Sequence, residues 1–291
     1  MAIWNLGSIN ADMVYAVPHL PGPGETLAAV RYQKFLGGKG ANMSVVAARA
    51  AAHVHHLGAV GPEGGWAVER LLEYGVDTRH IAQVDAATGH AIVMVEPGGE
   101  NQIVIYPGAN REIPQSLVQA ALSEAGAGDT LLIQNETNAQ ALAARIGRDL
   151  GLRVCYAAAP FDADAVCEVL PFLDFLILNA VEAAQLQQAT GLTPEALPVR
   201  DVIVTLGPRG ARHFDTNTGE TRDYPALKVA AVDSTGAGDT FTGYVLAGLD
   251  RGMPMAQAIA QALRAAAIMV TRHGTADVIP DLKDVQAGPL A

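Results

Sequence analysis

Short apolar segments alternate with amphipathic helical segments along most of this 291-residue chain. In the helical segments the apolar residues recur every three or four positions, and the short apolar segments between them are typical of buried strands. Such alternation predicts a doubly wound α/β fold, with a mostly parallel central sheet and helices on both faces. The predicted strands are 2–6, 53–60, 130–134, 154–158, 175–178 and 202–206, and the predicted helices are 66–74, 115–125, 139–150, 163–169, 180–189, 236–250 and 254–271.

The helix predicted from residue 236 follows an apolar extended segment and begins with Gly236-Ala237-Gly238-Asp239. Its two glycines let the backbone approach a ligand, and the unpaired amides of a first helical turn suit a phosphate. A carboxylate would repel that phosphate unless it had a role there, such as accepting a proton from an attacking hydroxyl. A structural alternative is an ordinary glycine-rich helix start whose Asp interacts with the helix dipole.

Several polar side chains follow predicted strands, where ligands of parallel sheets collect. They are Asn10, Asp12, Glu136, Asn179 and Thr205. Each has a structural alternative, because Asn and Asp also stabilise turns and cap helices. Asn179 and Glu182 match a capping box, which favours the structural interpretation for that pair.

A second glycine-rich segment, Gly37-Gly38-Lys39-Gly40-Ala41-Asn42, opens a helix whose apolar stripe extends to Ala52. Its spacing matches neither a Walker loop nor a dinucleotide-binding fingerprint. Taken alone, the segment is a tight helix start more often than a binding site.

A different pattern interrupts the alternation. Residues 91–96 and 101–106 are apolar and flank Pro97-Gly98-Gly99-Glu100, which predicts a hairpin. Residues 27–35 also read as extended, after a stiff proline-rich connector. We therefore expect one domain spanning 1–291 with a small inserted β-sheet, formed from about 13–36 and 89–108, that acts as a lid.

The charge and cysteine content narrow the classes of partner. The formal net charge is −11 and neither Lys nor Arg forms a run, which argues against a nucleic-acid or anionic-membrane partner. Cys155 and Cys167 lie in apparently regular segments, so we expect no disulfide framework and a reducing compartment. With no signal-peptide pattern and no membrane-length apolar run, the expected location is cytoplasmic.

Four motifs resemble those of the ribokinase branch of the PfkB carbohydrate kinase family and occur in the same order as in that family. The resemblance extends over nearly the whole chain. The motifs are Gly7-Ser8-Ile9-Asn10-Ala11-Asp12, Pro23-Gly24-Glu25-Thr26, residues 37–42, and Asp233 to Asp239, supported by Asn179 with Glu182 and by Thr205-Leu206-Gly207. The resemblance implies a ribokinase-like fold and an ATP-dependent sugar kinase.

The resemblance also implies residue roles. Asp239 is the base, and the amides of Gly236, Ala237 and Gly238 bind the phosphoryl group. The implied sugar-binding residues are Asn10, Asp12, Gly38, Lys39, Gly40, Ala41, Asn42, Glu136 and Asp239. The implied ATP-binding residues are Asn179, Thr205, Leu206, Gly207, Pro208, Arg209, Gly210, Gly238 and Leu263.

Family members use Mg²⁺ with ATP, and many respond to K⁺. Glu182 is implied to act indirectly on Mg²⁺, and the implied monovalent-cation loop comprises Asp233, Thr235, Met269, Arg272 and Gly274. Two departures stand out. Val278 replaces a hydroxyl that relatives often supply to the ion, so K⁺ dependence stays open, and Leu178 replaces a proline before Asn179.

The residues do not identify the compound that accepts the phosphoryl group. Asp12 and Glu136 can each accept hydrogen bonds from two neighbouring hydroxyls, while Asn10, Asn42 and Lys39 donate. This chemistry fits ribose, deoxyribose, a ketohexose, or the sugar of a nucleoside such as adenosine or pseudouridine. From another class, a sugar-binding regulator without turnover is an alternative.

Two further expectations concern the lid and the base. A small lid sheet has exposed edges and an apolar face, and the resemblance favours a homodimer through it. We also expect the helix N-terminus to lower the pKa of Asp239.

Overall fold

The computed structural model describes residues 1–272, 274 and 276–287. Its strands are β1 (Ala2–Leu6), β2 (Asn10–Ala16), β3 (Arg31–Gly37), β4 (His53–Val60), β5 (Asp77–Gln83), β6 (Gly89–Val95), β7 (Asn101–Tyr106), β8 (Thr130–Gln134), β9 (Arg153–Ala157), β10 (Phe175–Asn179), β11 (Asp201–Thr205), β12 (Ala211–Asp215) and β13 (Glu220–Tyr224). Its α-helices are α1 (Lys39–Arg49), α2 (Gly65–Glu73), α3 (Gln115–Leu122), α4 (Gln140–Asp149), α5 (Ala163–Val169), α6 (Ala180–Thr190), α7 (Ala237–Asp250), α8 (Met255–Met269) and α9 (Leu282–Gln286).

The predicted parallel sheet is confirmed. Nine strands lie in the order β13-β12-β11-β10-β9-β8-β1-β4-β5. The strands from β11 to β5 are parallel, while β12 and β13 are antiparallel at one edge. The central strands are buried on both faces, because α1, α7 and α8 contribute to the core on one face and α3 to α6 to the core on the other. This burial explains why these strands are apolar at successive positions.

The four strands β3-β2-β6-β7 form a separate sheet. The predicted hairpin is confirmed, with Val95 paired to Asn101. The observed strands of this sheet have different bounds from the predicted lid segments, which were about 13–36 and 89–108. The first sheet strand already begins at Asn10, and β3 begins at Arg31, so residues 27–30 are outside it.

Asn10 and Asp12 are therefore strand residues, which overturns their interpretation as turn residues. In β2, Asn10 pairs with Gly37 of β3, and Asp12 pairs with Phe35. The first strand of the small sheet thus leaves the carboxyl end of β1 directly, and this connection positions both side chains at the edge of the large sheet.

Besides β2, three elements were missed in the sequence. The edge strand β5 and the terminal hairpin strand β13 are rich in polar residues, and α9 is short. Edge strands need no continuous apolar run, because a smaller part of their surface is buried. Conversely, the segment before Gly236 was expected to be extended, but residues 225–235 contain no strand. Among the described residues, no helix has the length and hydropathy needed to cross a membrane.

Candidate active site

Asp239 lies in the first turn of α7 and is only 8% exposed. The side-chain amide of Asn42, in the first turn of α1, donates a hydrogen bond of 3.0 Å to its Oδ2 atom. The two glycine-rich helix starts identified in the sequence therefore meet, and Asn42 orients the carboxylate. A helix start whose Asp faced solvent would not produce this contact.

The pKa of Asp239 is raised to about 6, mainly because burial disfavours the charged carboxylate. Lys39 and the hydrogen bond from Asn42 oppose this effect, and Glu136 adds to it. The expectation of a lowered pKa was therefore wrong. It considered the helix N-terminus alone and omitted the desolvation of a carboxylate buried between two helices.

The start of α7 leaves space beside this carboxylate. Gly236 has a φ of 75°, which glycine adopts without strain. A Cβ at Gly238 would meet nothing within 4 Å, so protein packing does not explain that glycine. Among the described residues, the amide of Ala237 donates to Ser234, whereas those of Gly236, Gly238 and Asp239 have no acceptor. This opening suits an anion.

The start of α1 is closely packed. A Cβ at Gly40 would lie 2.3 Å from the Cα atom of Gly7, and a Cβ at Gly37 would lie 2.1 Å from Oδ2 of Asp12. Gly38 has a φ of 90°. These glycines are needed because the backbone and the Asp12 carboxylate fill the space that side chains would occupy.

Lys39 and Glu136 join the end of β8 to the start of α1. The backbone amide of Lys39 donates a hydrogen bond of 3.0 Å to Oε2 of Glu136, which also accepts from the hydroxyl of Ser8. Asp239, followed by Glu136 and Glu182, raises the pKa of the Lys39 ammonium group against the effect of burial. Lys39 is therefore a fixed positive charge among the carboxylates of the cleft.

Asp12 also belongs to this cleft. Burial, together with the negative charge of Glu136, raises its pKa to about 6. Its strand neighbour Asn10 accepts a hydrogen bond of 2.7 Å from the amide of Asn110. Asn110 was missed in the sequence, where Gly108-Ala109-Asn110 has only the signal of a turn. It is 1% exposed and also accepts from the backbone amide of Ile9 at 2.8 Å.

The helix starts α1 and α7, the end of β8 and the strand β2 thus converge on one cleft with a buried carboxylate and an open turn whose amides have no acceptor among the described residues. Residues 3–282 match the family model described as pfkB family carbohydrate kinase. The chain belongs to the pfkB family of carbohydrate kinases. A ribokinase of Haemophilus influenzae is 36% identical over 290 residues, which cover 94% of each chain.

Solved structures agree with this assignment. A crystal structure of ribokinase from Thermotoga maritima has a TM-score of 0.88 and 32% identity to this chain, over 98% of both. A structure of Arabidopsis thaliana ribokinase complexed with ribose and ATP has a TM-score of 0.86 and 28% identity, also over 98% of both.

In this pfkB-family chain, Gly40 and Ala41 have structural partners. The amide of Ala41 donates to the carbonyl of Ser8 at 2.8 Å, and that of Gly40 donates to the Ser8 hydroxyl at 3.2 Å. Both residues are buried. They hold the cleft wall in place, and Lys39 and Asn42 are the members of this segment whose side chains face the carboxylates.

A buried polar network supports the same wall and was also missed. Asn5 donates to the carbonyl of Gly40 and to Ser44, each at 2.8 Å, and Gln134 donates to Asn5 at 2.8 Å. His56 lies 2.8 Å from Ser44 and 3.1 Å from the carbonyl of Gly7. Burial lowers the pKa of His56 to about 4, so its imidazole is neutral. Such a network fixes the approach of Gly7 to Gly40.

The nucleotide-binding residues implied by the family lie along the neighbouring strand ends. Asn179 and Thr205 are paired in β10 and β11. Asn179 caps α6, and Glu182 completes the reciprocal capping box, as the spacing predicted. Glu182 also contributes to the electrostatic environment of Lys39, which connects this rim to the cleft.

Other implied ATP-binding residues, 206–210 and Leu263, lie in different surroundings from one another. Gly207–Arg209 form a short 3-10 helix, and Leu206 donates to the carbonyl of Gly210. A Cβ at Gly210 would lie 1.9 Å from the Tyr224 carbonyl, so packing against β13 requires this glycine. Leu263 is 8% exposed and belongs to the core under α7 and α8.

Four residues of the implied cation loop lie together beside α7. Asp233 accepts from the amides of Thr235 at 2.9 Å and Gly274 at 3.4 Å. Met269 is close to Gly236, since its Cε atom would lie 3.3 Å from a Cβ there. The fifth, Arg272, donates from its guanidinium to the carbonyl of Val278 at 3.1 Å. Residues 273 and 275 of the loop are outside the described residues.

Proposed function

We propose that this protein is an ATP-dependent sugar kinase that transfers the γ-phosphoryl group of ATP to a hydroxyl of D-ribose, giving ribose 5-phosphate. One observation carries the proposal. A buried carboxylate, Asp239, is held by Asn42 beside the open, unpaired amides at the start of α7. A proton acceptor and an anion-binding turn are thus adjacent, as phosphoryl transfer to an alcohol requires.

In this proposal Asp239 takes the proton of the acceptor hydroxyl. A pKa of about 6 leaves it ionised at neutral pH and a better proton acceptor than an ordinary Asp. The amides of Gly236 and Gly238 bind the transferred phosphoryl group, and Lys39 supplies positive charge. Phosphoryl transfer has a loose transition state, so alignment and charge neutralisation are the main contributions of these residues.

The sugar binds between the small sheet and the start of α1. Asp12 and Glu136 accept hydrogen bonds from its hydroxyls, and Asn10, Lys39 and Asn42 surround it. Asn110 keeps Asn10 in position. The ribokinase relatives favour ribose over the other acceptors compatible with these residues, which are deoxyribose, a ketohexose and a nucleoside.

ATP lies across Asn179, the segment from Thr205 to Gly210, and the start of α7, with Leu263 on the adenine side. Mg²⁺ accompanies ATP and neutralises charge on the phosphates, and Glu182 is the carboxylate that orders its surroundings. We assign a monovalent cation such as K⁺ to the loop of Asp233 and Gly274, whose backbone amides donate to the Asp233 carboxylate.

The proposed organisation is one domain over 1–291, located in the cytoplasm, with the small sheet as a lid and as the contact of a homodimer. On the sheet face that carries Asp12, the register places Val93, Ile103 and Ile105. Ile103 and Ile105 are 53% and 59% exposed. An exposed apolar sheet face beside an apolar edge strand favours pairing with the same surface of a second copy.

A coupled assay of ADP release tests the reaction. With ribose, deoxyribose, fructose, adenosine and pseudouridine compared at equal concentration, we expect the highest kcat/KM with ribose. If only a nucleoside were phosphorylated, that nucleoside and not ribose would be the acceptor. Tight ribose binding without ADP release would instead support the alternative that the protein is a sugar-binding regulator without turnover.

The first prediction concerns the base. The substitution Asp239→Asn keeps the shape of the side chain and removes the proton acceptor, so we expect kcat to fall by about 10²- to 10⁴-fold. Circular dichroism checks that the variant is folded. Near-normal turnover in the folded variant would reject this role of Asp239.

A further inference from the structure

A second cluster of titratable side chains lies at the amino-terminal ends of β4 and β5, the edge of the large sheet opposite the cleft. His53 and His55 are alternate residues of β4 and therefore project from the same face. Asp77, the first residue of β5, is paired with His55. One ligand atom from each of these three side chains lies within 4.8 Å of the other two.

His55 is the central member. Its side chain is buried, and its Nδ1 atom has no hydrogen-bond partner among the described residues. Oδ2 of Asp77 is 3.2 Å from this nitrogen but lacks the alignment of a hydrogen bond. A buried polar atom without a partner is unfavourable unless another group satisfies it. The Nδ1 atom of His55 thus lies beside a carboxylate oxygen without a hydrogen bond to it.

The surroundings leave that nitrogen free to bind a metal. Trp4 stacks on the ring of His55 at 4.0 Å between centroids, which covers the ring face but not the in-plane lone pair. An imidazole binds a metal ion through a ring nitrogen that carries no proton. His80, nearby, has a buried Nε2 atom 3.6 Å from Oε1 of Glu124 and also without a hydrogen bond.

The distances suit a small ion. Ligand atoms about 2.1 Å from a tetrahedral Zn²⁺ lie about 3.4 Å from each other, close to the 3.2 Å between His55 and Asp77. The exposed ring of His53 stacks on that of His55 at 4.7 Å between centroids and must turn from this position to bring the third ligand into place. The side chain of Arg79 donates to Asp77 at 2.9 and 3.1 Å but is 63% exposed and can move away.

We propose that His53, His55 and Asp77 bind one borderline-soft divalent cation, of which Zn²⁺ is the representative, at a site separate from phosphoryl transfer. Two imidazoles with one carboxylate are a donor set for Zn²⁺ and similar ions, whereas Mg²⁺ prefers oxygen ligands. The ion links β4 to the edge strand β5, and water completes its coordination. Its effect is on the stability of this edge of the sheet.

The test uses the full chain after removal of metals, titrated with Zn²⁺ by calorimetry in excess Mg²⁺ so that oxygen-rich sites are already filled. We expect one tight equivalent in the wild type and a rise in Tm. In His53→Ala and Asp77→Asn, affinity should fall at least about tenfold, and the rise in Tm should be lost. Without Zn²⁺, both variants should match the wild type in circular dichroism and kinase activity.

His19→Ala is the matched control, because His19 is an exposed histidine paired with Glu25 far from this cluster. It should retain the tight equivalent and the rise in Tm. A wild type without a tight equivalent, or a His53→Ala variant that binds as the wild type does, would overturn the proposal.

Discussion

At the scale of single residues, the cleft depends on a conflict at Asp239. The proposed role as a base requires the carboxylate to be charged, while its burial favours the neutral form and raises its pKa to about 6. Asn42 and Lys39 offset part of this effect through a hydrogen bond and a positive charge. The same residues therefore orient the base and keep it ionised at neutral pH.

At Gly238, a substitution should affect activity and stability in opposite directions. A methyl group there meets no protein atom within 4 Å, so Gly238→Ala should fold and gain about 0.5–1 kcal/mol from helix propensity. The methyl group would occupy the phosphoryl position, and we expect kcat/KM for ATP to fall at least about 10²-fold. Steady-state kinetics and urea denaturation measure the two effects.

Gly65→Ala is the control for Gly238→Ala. Gly65 lies in the first turn of α2, and a Cβ there also meets nothing within 4 Å. Its substitution should leave the kinetics unchanged. If Gly238→Ala retained wild-type kinetics, the phosphoryl group would not bind at this turn.

At the scale of elements, the strand β7 is the most exposed part of the small sheet. Each of its residues is exposed, and no strand of the described part of the chain lies beside its outer edge. Ile103 and Ile105 project from the face that carries Asp12, while Val104, which is 62% exposed, projects from the opposite face. One strand thus offers a test of which face is covered in solution.

We expect the double substitution Ile103→Lys with Ile105→Lys to convert the proposed homodimer to a monomer, because it places two like charges in an apolar contact. Val104→Lys on the opposite face should leave the dimer intact. Analytical ultracentrifugation of the wild type, the double variant and Val104→Lys measures the oligomeric state of each. A monomeric wild type, or dissociation by Val104→Lys alone, would contradict the proposed contact.

At the scale of the whole molecule, the cleft reduces stability at neutral pH. The folded pKa of Asp239, about 6, is above the value of 3.8 for a free Asp. The folded protein therefore binds more protons than the unfolded chain between these values, and the contribution of this group is present below about pH 4 and lost as pH rises through 6. The loss amounts to at most about 3 kcal/mol, since one pKa unit corresponds to about 1.4 kcal/mol.

Asp239→Asn removes this titration. The stability of the variant relative to the wild type should increase between about pH 4 and pH 7 by up to about 3 kcal/mol and then level off. Asp12, whose pKa is also raised, is present in both proteins and largely cancels. Urea denaturation across this pH range gives the difference, and a difference independent of pH would contradict the raised pKa.

The fold was largely predictable because its central strands and helices have distinct apolar periods. The polar edge strand β5 and the strand β2 were not, since their pairing depends on neighbours distant in the chain. In the site, the glycine segments and strand-end carboxylates were recognisable as motifs. Asn110 and the network of Asn5, Ser44, His56 and Gln134 had no signal, because isolated polar residues acquire a role only when buried together.

The order of the central strands and helices, the two glycine-rich helix starts and the proposal of Asp239 as base came from the sequence itself, because these features depend on neighbours within a few residues. Only the tertiary structure decided that Asn42 holds Asp239, that Asp12 rests against Gly37, and that the pKa of the base is raised. The reason is desolvation. The water excluded from a carboxylate is set by segments that lie nearly two hundred residues apart in the chain.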